Sequence, residues 1–178
     1  MTQALPKKPD LYFLQEFIAP RWDATQTVGF DPNTTSGDGV LRADTSFSKL
    51  GDTYPQFTIQ TTGEESSGGA TSYDYLTNAG PGQNRNGTLT AQVRVEDKEN
   101  GSGYTGDSGT YSAVSAERLS TLIRQEIERI CIENANGADT EFSFVGSNEN
   151  HVPDETNNTL TVRRSGVTLS YGFLRDSL

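Results

Sequence analysis

The chain of 178 residues has the length of a single domain, and its composition fits a small hydrophobic core surrounded by polar segments. Hydrophobic residues make up only 32% of the sequence, whereas Ser, Thr, Asn and Gly are abundant. Eight Phe, seven Tyr and several segments with regular apolar spacing argue against full disorder. We therefore predict one domain over residues 1–178, with its core within residues 10–174.

The charge is strongly negative. The formal net charge is -10, from 24 acidic and 14 basic residues, and ten of the basic residues are Arg. Many carboxylates, few Lys and a low apolar fraction are typical of proteins adapted to molar salt, where the Debye length is about 3 Å and carboxylate repulsion is screened. An ordinary acidic soluble domain is the alternative. The negative sign also disfavours nucleic-acid binding by a basic stripe.

Targeting signals are not evident in the sequence. No run approaches the roughly 20 apolar residues that a membrane-spanning helix needs. Residues 1–10 also lack the apolar segment of a secretion signal. We expect a protein that neither spans a membrane nor is exported.

The first predicted element is a short amphipathic helix. It follows Pro9 and ends at Pro20, because proline is tolerated at a helix start and disrupts a helix interior. Its apolar residues share one face: Leu11, Leu14, Phe17 and Ile18. Residues 31–38 are rich in turn-forming types, and Val40 and Leu41 are predicted to begin a brief strand.

Two strands and two long connections follow. Residues 54–61 and 88–96 alternate apolar and polar side chains, which predicts strands with one buried face each. Residues 63–87 and 97–111 contain many Gly, Ser and Asn and few aliphatics, so we predict long polar loops there.

The next segment is a long amphipathic helix. Ser112 or Ser115 is the predicted N-cap, and the Asn136–Gly137 pair is the predicted stop. The apolar stripe includes Ala116, Leu119, Ile123, Ile127 and Ile130, and the single cysteine, Cys131, is expected to be a small buried apolar residue. Polar residues are predicted on the outer side: Glu117, Thr121, Arg124, Gln125 and Glu128.

Strands close the chain. Residues 141–146 alternate polar residues with two Phe, which predicts a third strand. Residues 160–173 are predicted to form a further strand pair. Apolar residues change parity between Val162 and Val167, which predicts a bulge or a tight hairpin at Ser165–Gly166. The fold class is therefore α+β: a mostly antiparallel sheet covered on one face by one long helix, plus a short N-terminal helix and long polar loops.

Catalytic and metal-binding patterns are weak. One histidine, His151, and one cysteine cannot supply the four ligands of a structural zinc site. Residues 101–106 match GxGxxG, but extra residues separate them from the strand and the helix, so a loop is the better interpretation. A loose cation cage of Asp97, Glu99 and Asp107, or simply a solvated acidic loop, stays open. We predict no enzyme and no catalytic, cofactor or metal residues.

The order of elements carries a family resemblance. The segments are YPQFTI (54–59), TLTAQVRVE (88–96), SAERLSTLIRQEIERI (115–130) and LTVRRSGVTLSYGF (160–173). Over residues 10–174 this order resembles the tail-terminator, or tail-completion, proteins of long-tailed viruses. The acidic composition then implies a virus of a halophilic archaeon.

The resemblance implies a structural virion protein at the head–tail joint. Such a subunit closes into a homo-hexameric ring that caps the tail tube and docks onto the neck connector, while genomic DNA passes through the ring without sequence-specific binding. Subunit or partner contacts are expected at six residues: Tyr73, Tyr75, Arg85, Arg94, Arg163 and Arg164. Alternatives are a neck stopper, a tail-tube subunit or, from another class, a surface or carbohydrate-binding module.

Overall fold

A computed structural model of the chain describes residues 9–45, 53–66, 75–77, 80–134, 142–150, 153–157 and 160–176. These residues form one seven-stranded sheet, with a long helix on one face and a short helical segment at the N-terminal end. The α+β fold predicted from the sequence is confirmed.

The helical elements are few and the strands unequal in length. Helix α1 (Pro9–Tyr12) continues into a π-helical turn (Phe13–Ile18) and a 3-10 turn (Ala19–Arg21), and a second 3-10 turn spans Ala24–Thr27. The long helix is α2 (Ala116–Glu133). The strands are β1 (Arg42–Asp44), β2 (Gln56–Ser66), β3 (Tyr75–Thr77), β4 (Gly80–Glu96), β5 (Phe142–Asn150), β6 (Glu155–Asn157) and β7 (Leu160–Asp176).

The sheet is antiparallel except at one edge. Its order is β1-β2-β4-β7-β5, and only the pairing of β1 with β2 is parallel. Strand β3 pairs with the first residues of β4, and β6 pairs with the first residues of β7. The two longest strands, β4 and β7, therefore lie at the centre of the sheet.

The hydrophobic core lies between one face of the sheet and the helices. That face carries alternate residues of β4 and their partners on β2 and β7, which are Phe57, Ile59, Leu89, Ala91, Val93, Val95, Val167, Leu169 and Tyr171, all 1% exposed or less. The N-terminal helical segment adds aromatic rings to the same core. The ring of Phe13 lies 5.0 Å from that of Tyr171, and Phe17 lies 5.4 Å from Phe144.

Helix α2 agrees with its predicted start. Ser115 is the N-cap, and its side chain accepts a hydrogen bond from the Arg118 N–H at 3.2 Å. The helix ends at Glu133, and the predicted stop lies outside the described residues. Cys131 is fully buried as predicted, and burial raises the pKa of its thiol.

One side chain of α2 was wrongly predicted to be on the outside. Arg124 is only 6% exposed, because it reaches past the helix surface to two glutamates. Its guanidinium lies 3.4 Å from the carboxylate of Glu128 and 3.3 Å from that of Glu149 on β5. A long cationic side chain can thus cover the gap between a helix and an edge strand.

Within the described residues, the predicted loop over 63–87 is wrong, and residues 67–74 and 78–79 of that prediction lie outside the described residues. Strand β2 continues to Ser66, β3 occupies Tyr75–Thr77, and β4 begins at Gly80. These stretches contain few apolar residues, so no alternation marks them as strands. Backbone pairing holds these stretches instead: β4 pairs with β3 and β2 on one side and with β7 on the other.

The predicted bulge or hairpin at Ser165–Gly166 is also wrong. Strand β7 runs without interruption, and its register with β4 is unbroken from Val162 to Asp176. The parity changes because Val162 is buried on the opposite face from Val167. The irregular registers occur elsewhere, between Thr61 and Glu64 in β2 and between Phe144 and Gly146 in β5.

Two smaller predictions had mixed outcomes. The brief strand predicted at Val40 begins two residues later, at Arg42, and Val40 forms only an isolated bridge with Asp31. Residues 97–111 lie outside every helix and strand, as predicted, apart from an isolated bridge between Tyr104 and Val114.

Candidate functional site

The face of the sheet opposite α2 carries a row of basic side chains. Register places Arg42 of β1 beside Gln56 of β2, Gln56 beside Arg94 of β4, and Arg94 beside Arg164 of β7. Neighbouring strands lie about 4.8 Å apart, so three arginines of an acidic chain share one line across four strands. We call this line, Arg42–Gln56–Arg94–Arg164, the arginine row.

Arg94 is the most buried of the three arginines of the row. Only 6% of the residue is exposed, and its Nη2 donates a hydrogen bond to Oε1 of Gln92 at 2.9 Å. Burial lowers the pKa of the guanidinium, and the neighbouring charge of Arg164 lowers it further. Arg94 thus lies on the polar face of its own sheet, and the subunit or partner contact expected for it stays a prediction.

The two arginines of β7 that were expected to make subunit or partner contacts take part in ion pairs within the chain. Arg164 lies 2.5 Å from the carboxylate of Glu155, and its backbone N–H donates to Asp154. Arg163, its neighbour in sequence, contacts Asp97 at 2.8 Å and Asp154 at 2.9 Å. Hydrogen bonds to Asp97, and to a smaller extent to Asp154, raise the pKa of Arg163. These pairs tie β6 and the end of β4 to the start of β7.

The five predicted contact residues that lie in the described ranges do not form one cluster. Arg94 and Arg164 are cross-strand neighbours, and Arg163 lies on the other face. Arg85 lies in the far half of β4, at the position paired with Phe173. Tyr75 lies in β3, and Tyr73 lies outside the described residues.

A buried carboxylate on α2 was missed by the sequence reasoning. Glu126 is 1% exposed, and its two oxygens accept hydrogen bonds from Arg129 at 2.6 and 2.7 Å. Oε1 also accepts from the backbone N–H of Asp23 at 2.9 Å. This carboxylate fastens the N-terminal segment to α2. Its partner Asp23 is 103 residues away, and no local pattern points to that contact.

The GxGxxG segment packs as a loop against neighbouring backbone. The Gly106 N–H donates to the Val28 carbonyl at 2.9 Å, and a Cβ at residue 106 would lie 2.4 Å from the Gly29 oxygen. A Cβ on Gly103 would lie 2.8 Å from the Ala113 Cβ. These glycines allow close backbone approach between loops.

The loose cation cage does not form. Within the part of the chain that the structure describes, no three acidic, His or Cys side chains are grouped as metal ligands. Asp97 accepts from Arg163, and Asp107 caps the Gly109 N–H at 3.1 Å. The loop is anchored instead by Tyr104, whose hydroxyl donates to the Glu96 carbonyl at 2.6 Å.

The outer edges of the sheet are the other notable surface. Strand β1 pairs only with Gln56, Phe57 and Thr58, so β2 has no described strand outside it from Ile59 to Ser66. At the opposite edge, no described strand lies outside β5. Long strand edges of this kind offer N–H and C=O groups to another chain.

Comparison with known proteins yields no family. No protein-family model matches the chain, and no curated protein matches it significantly. Neither helix in the described ranges is long and apolar enough to cross a membrane.

Proposed function

We propose that this chain is a structural virion protein whose copies form a ring, most simply a hexamer, that caps the tail tube and joins it to the neck. Genomic DNA passes through the ring, and no catalysis is involved. The proposal starts from the resemblance in element order. The helix, the paired strands, the long helix and the closing strands occur in that order in the fold.

The length of the central strands is the observation that carries the proposal. Strands β4 and β7 have 17 residues each, about 56 Å at 3.3 Å per residue. Helix α2 has 18 residues, about 27 Å at 1.5 Å per residue. The two central strands therefore extend beyond the long helix by about half of the length of the strands. In a ring, a neighbouring copy contacts the part of the strands that the helix does not cover.

The composition supports the same proposal. A chain with 32% hydrophobic residues builds a modest core, and assembly allows it to bury more surface. Its charge of -10 favours assembly at high salt, where repulsion between copies is screened.

Electron microscopy of the purified chain with its tail-tube protein tests the proposal. In about 2 M KCl, where charges are screened, we expect single rings and tubes closed at one end by a ring. Tubes built from this chain alone would instead identify a tail-tube subunit. Rings that bind the neck connector but never the tube would identify a neck stopper. A monomer that binds glycans would contradict the proposal altogether.

A further inference from the structure

We propose that the outer edge of β2 (residues 59–66) pairs with the outer edge of β5 (residues 142–150) of the next copy, so that one antiparallel sheet continues through the ring. This inference rests on the proposed ring. It adds the surface by which copies join and the kind of bond that joins them.

Strand direction is the first argument. Strand β2 is antiparallel to β4, β4 to β7, and β7 to β5, so β5 runs opposite to β2. If the next copy continues the sheet with the same face turned the same way, its β2 lies antiparallel to β5. Antiparallel pairing is the more stable arrangement per residue. The topology thus makes the two edges complementary.

The lengths of the two edges also match. Beyond β1, the outer edge of β2 offers eight positions, and β5 offers nine residues. Joining β2 to β5 covers both edges of every copy, and a head-to-tail contact of this kind closes into a ring. Pairing β5 with itself would give a dimer and leave the edge of β2 uncovered.

Neither edge stretch contains proline or lysine, two of the residues with which natural sheets protect exposed edges from pairing. Each strand does have one irregular step, after Thr61 in β2 and after Phe144 in β5. Bulges of this kind bend and twist a strand, and a sheet that curves around a ring needs such bending.

The charge of the edges makes the joint salt-dependent. The two stretches contain three glutamates and no basic residue: Glu64, Glu65 and Glu149, of which Glu149 is paired with Arg124 of α2 at 3.3 Å. Repulsion across the joint is screened when the Debye length is about 3 Å, at 1 M salt, and less so at about 10 Å, at 0.1 M. We therefore expect rings to dissociate on dilution into low salt.

Hydrogen exchange measured by mass spectrometry tests the joint. We would compare dilute, unassembled chain with concentrated, assembled chain in the same molar KCl. Amides of residues 59–66 and 142–150 should exchange about tenfold or more slowly in the ring, since ladder bonds protect them. Amides of residues 89–94 in β4 are paired on both sides within one copy, so they serve as the internal control.

Proline variants of β5 give a second, independent readout. Ser147 and Asn148 are exposed and adjacent, so their N–H groups point to opposite edges of the strand. We expect one of Ser147→Pro and Asn148→Pro to keep the monomer's circular dichroism spectrum and lose the ring. Ser147→Ala and Asn148→Ala retain the N–H groups and should assemble normally.

The outcomes separate the joint from the ring itself. Rings whose two edges exchange as fast as in the monomer, or rings that survive both proline variants, would overturn the joint and leave the proposed function intact. A dimer in which only β5 gains protection would also overturn it. No assembly at any concentration in molar salt would overturn the ring and the joint together.

Discussion

The two ends of the central strand pair differ in what holds them. From Leu89 to Arg94, β4 is fixed by backbone ladders on both sides and by a buried apolar face under the helices. From Gly80 to Asn86, the same strand continues past the length that α2 can cover. We call these the covered half and the overhang. The comparison teaches that backbone hydrogen bonds between strands can extend a strand well beyond the hydrophobic core. Such an extension depends on contacts with further strands or chains.

The largest expected difference is between two nearby residues of β4. Leu89 is fully buried in the covered half, whereas Asn86 is exposed in the overhang. Leu89→Ala should lower the free energy of unfolding by about 2–5 kcal/mol, because it leaves a cavity. Asn86→Ala should change it by less than about 0.5 kcal/mol. Chemical denaturation in molar KCl measures both, and similar losses would remove the distinction between the two halves.

The second prediction concerns how the N-terminal segment is fastened to the covered half. Glu126→Gln keeps an oxygen for the Asp23 N–H but loses the charge opposite Arg129. We expect a loss of about 1–3 kcal/mol in stability, since a buried charged partner is removed. Glu133 contacts the same Arg129 at 2.6 Å but is 58% exposed, so Glu133→Gln should cost less than about 1 kcal/mol. Equal effects would contradict the role of Glu126.

The third prediction tests the start of the covering helix. Ser115→Ala removes the N-cap acceptor of the Arg118 N–H and should destabilise the fold by about 1 kcal/mol. Ser112, the other candidate from the sequence, is exposed and outside the helix. Ser112→Ala should therefore have little effect in the same unfolding experiment. The opposite ranking would show that the helix begins elsewhere.

The smallest expected effect is a pH dependence in the loop beside the covered half. Burial, followed by the charges of Glu96 and Asp97, raises the pKa of Tyr104 to about 12. An unfolded tyrosine ionises near pH 10, so folding holds the proton more tightly and stability falls as the pH rises from 10 towards 12. Allowing for solvent screening, we expect about 1 kcal/mol from this residue.

The free energy of unfolding, measured against pH for the natural chain and for Tyr104→Phe, tests whether stability falls above pH 10 as expected. The variant lacks the ionisable group, so its stability should fall less steeply above pH 10. It should also be less stable at neutral pH, because the Glu96 carbonyl loses its donor. Parallel curves for the two proteins would contradict a raised pKa at Tyr104.

The sequence predicted the covered half well and the overhang badly, for one physical reason. Periodicity records which side chains face a core. It therefore identified α2 and residues 88–96, whose apolar residues are buried at the expected spacing. Residues 80–87 have no comparable apolar alternation in the sequence, and only the ladders with β2, β3 and β7 show that they form a strand.

Polar contacts were the other part that the sequence could not supply. Arg94 and Arg164 are 70 positions apart, and their proximity follows only from the register of β4 with β7. Glu126 meets the Asp23 backbone across 103 positions. Val162 suggested a bulge because all buried residues of the strand were expected on one face. The sheet instead buries side chains on both faces.

The mass of the particle in solution tests most directly whether neighbouring copies complete this subunit. Light scattering coupled to size-exclusion chromatography, in about 2 M KCl, should give a closed oligomer of defined mass, six times that of the 19.3 kDa chain for a hexamer. A monomer at every concentration, with unchanged stability on transfer to dilute buffer, would contradict the account.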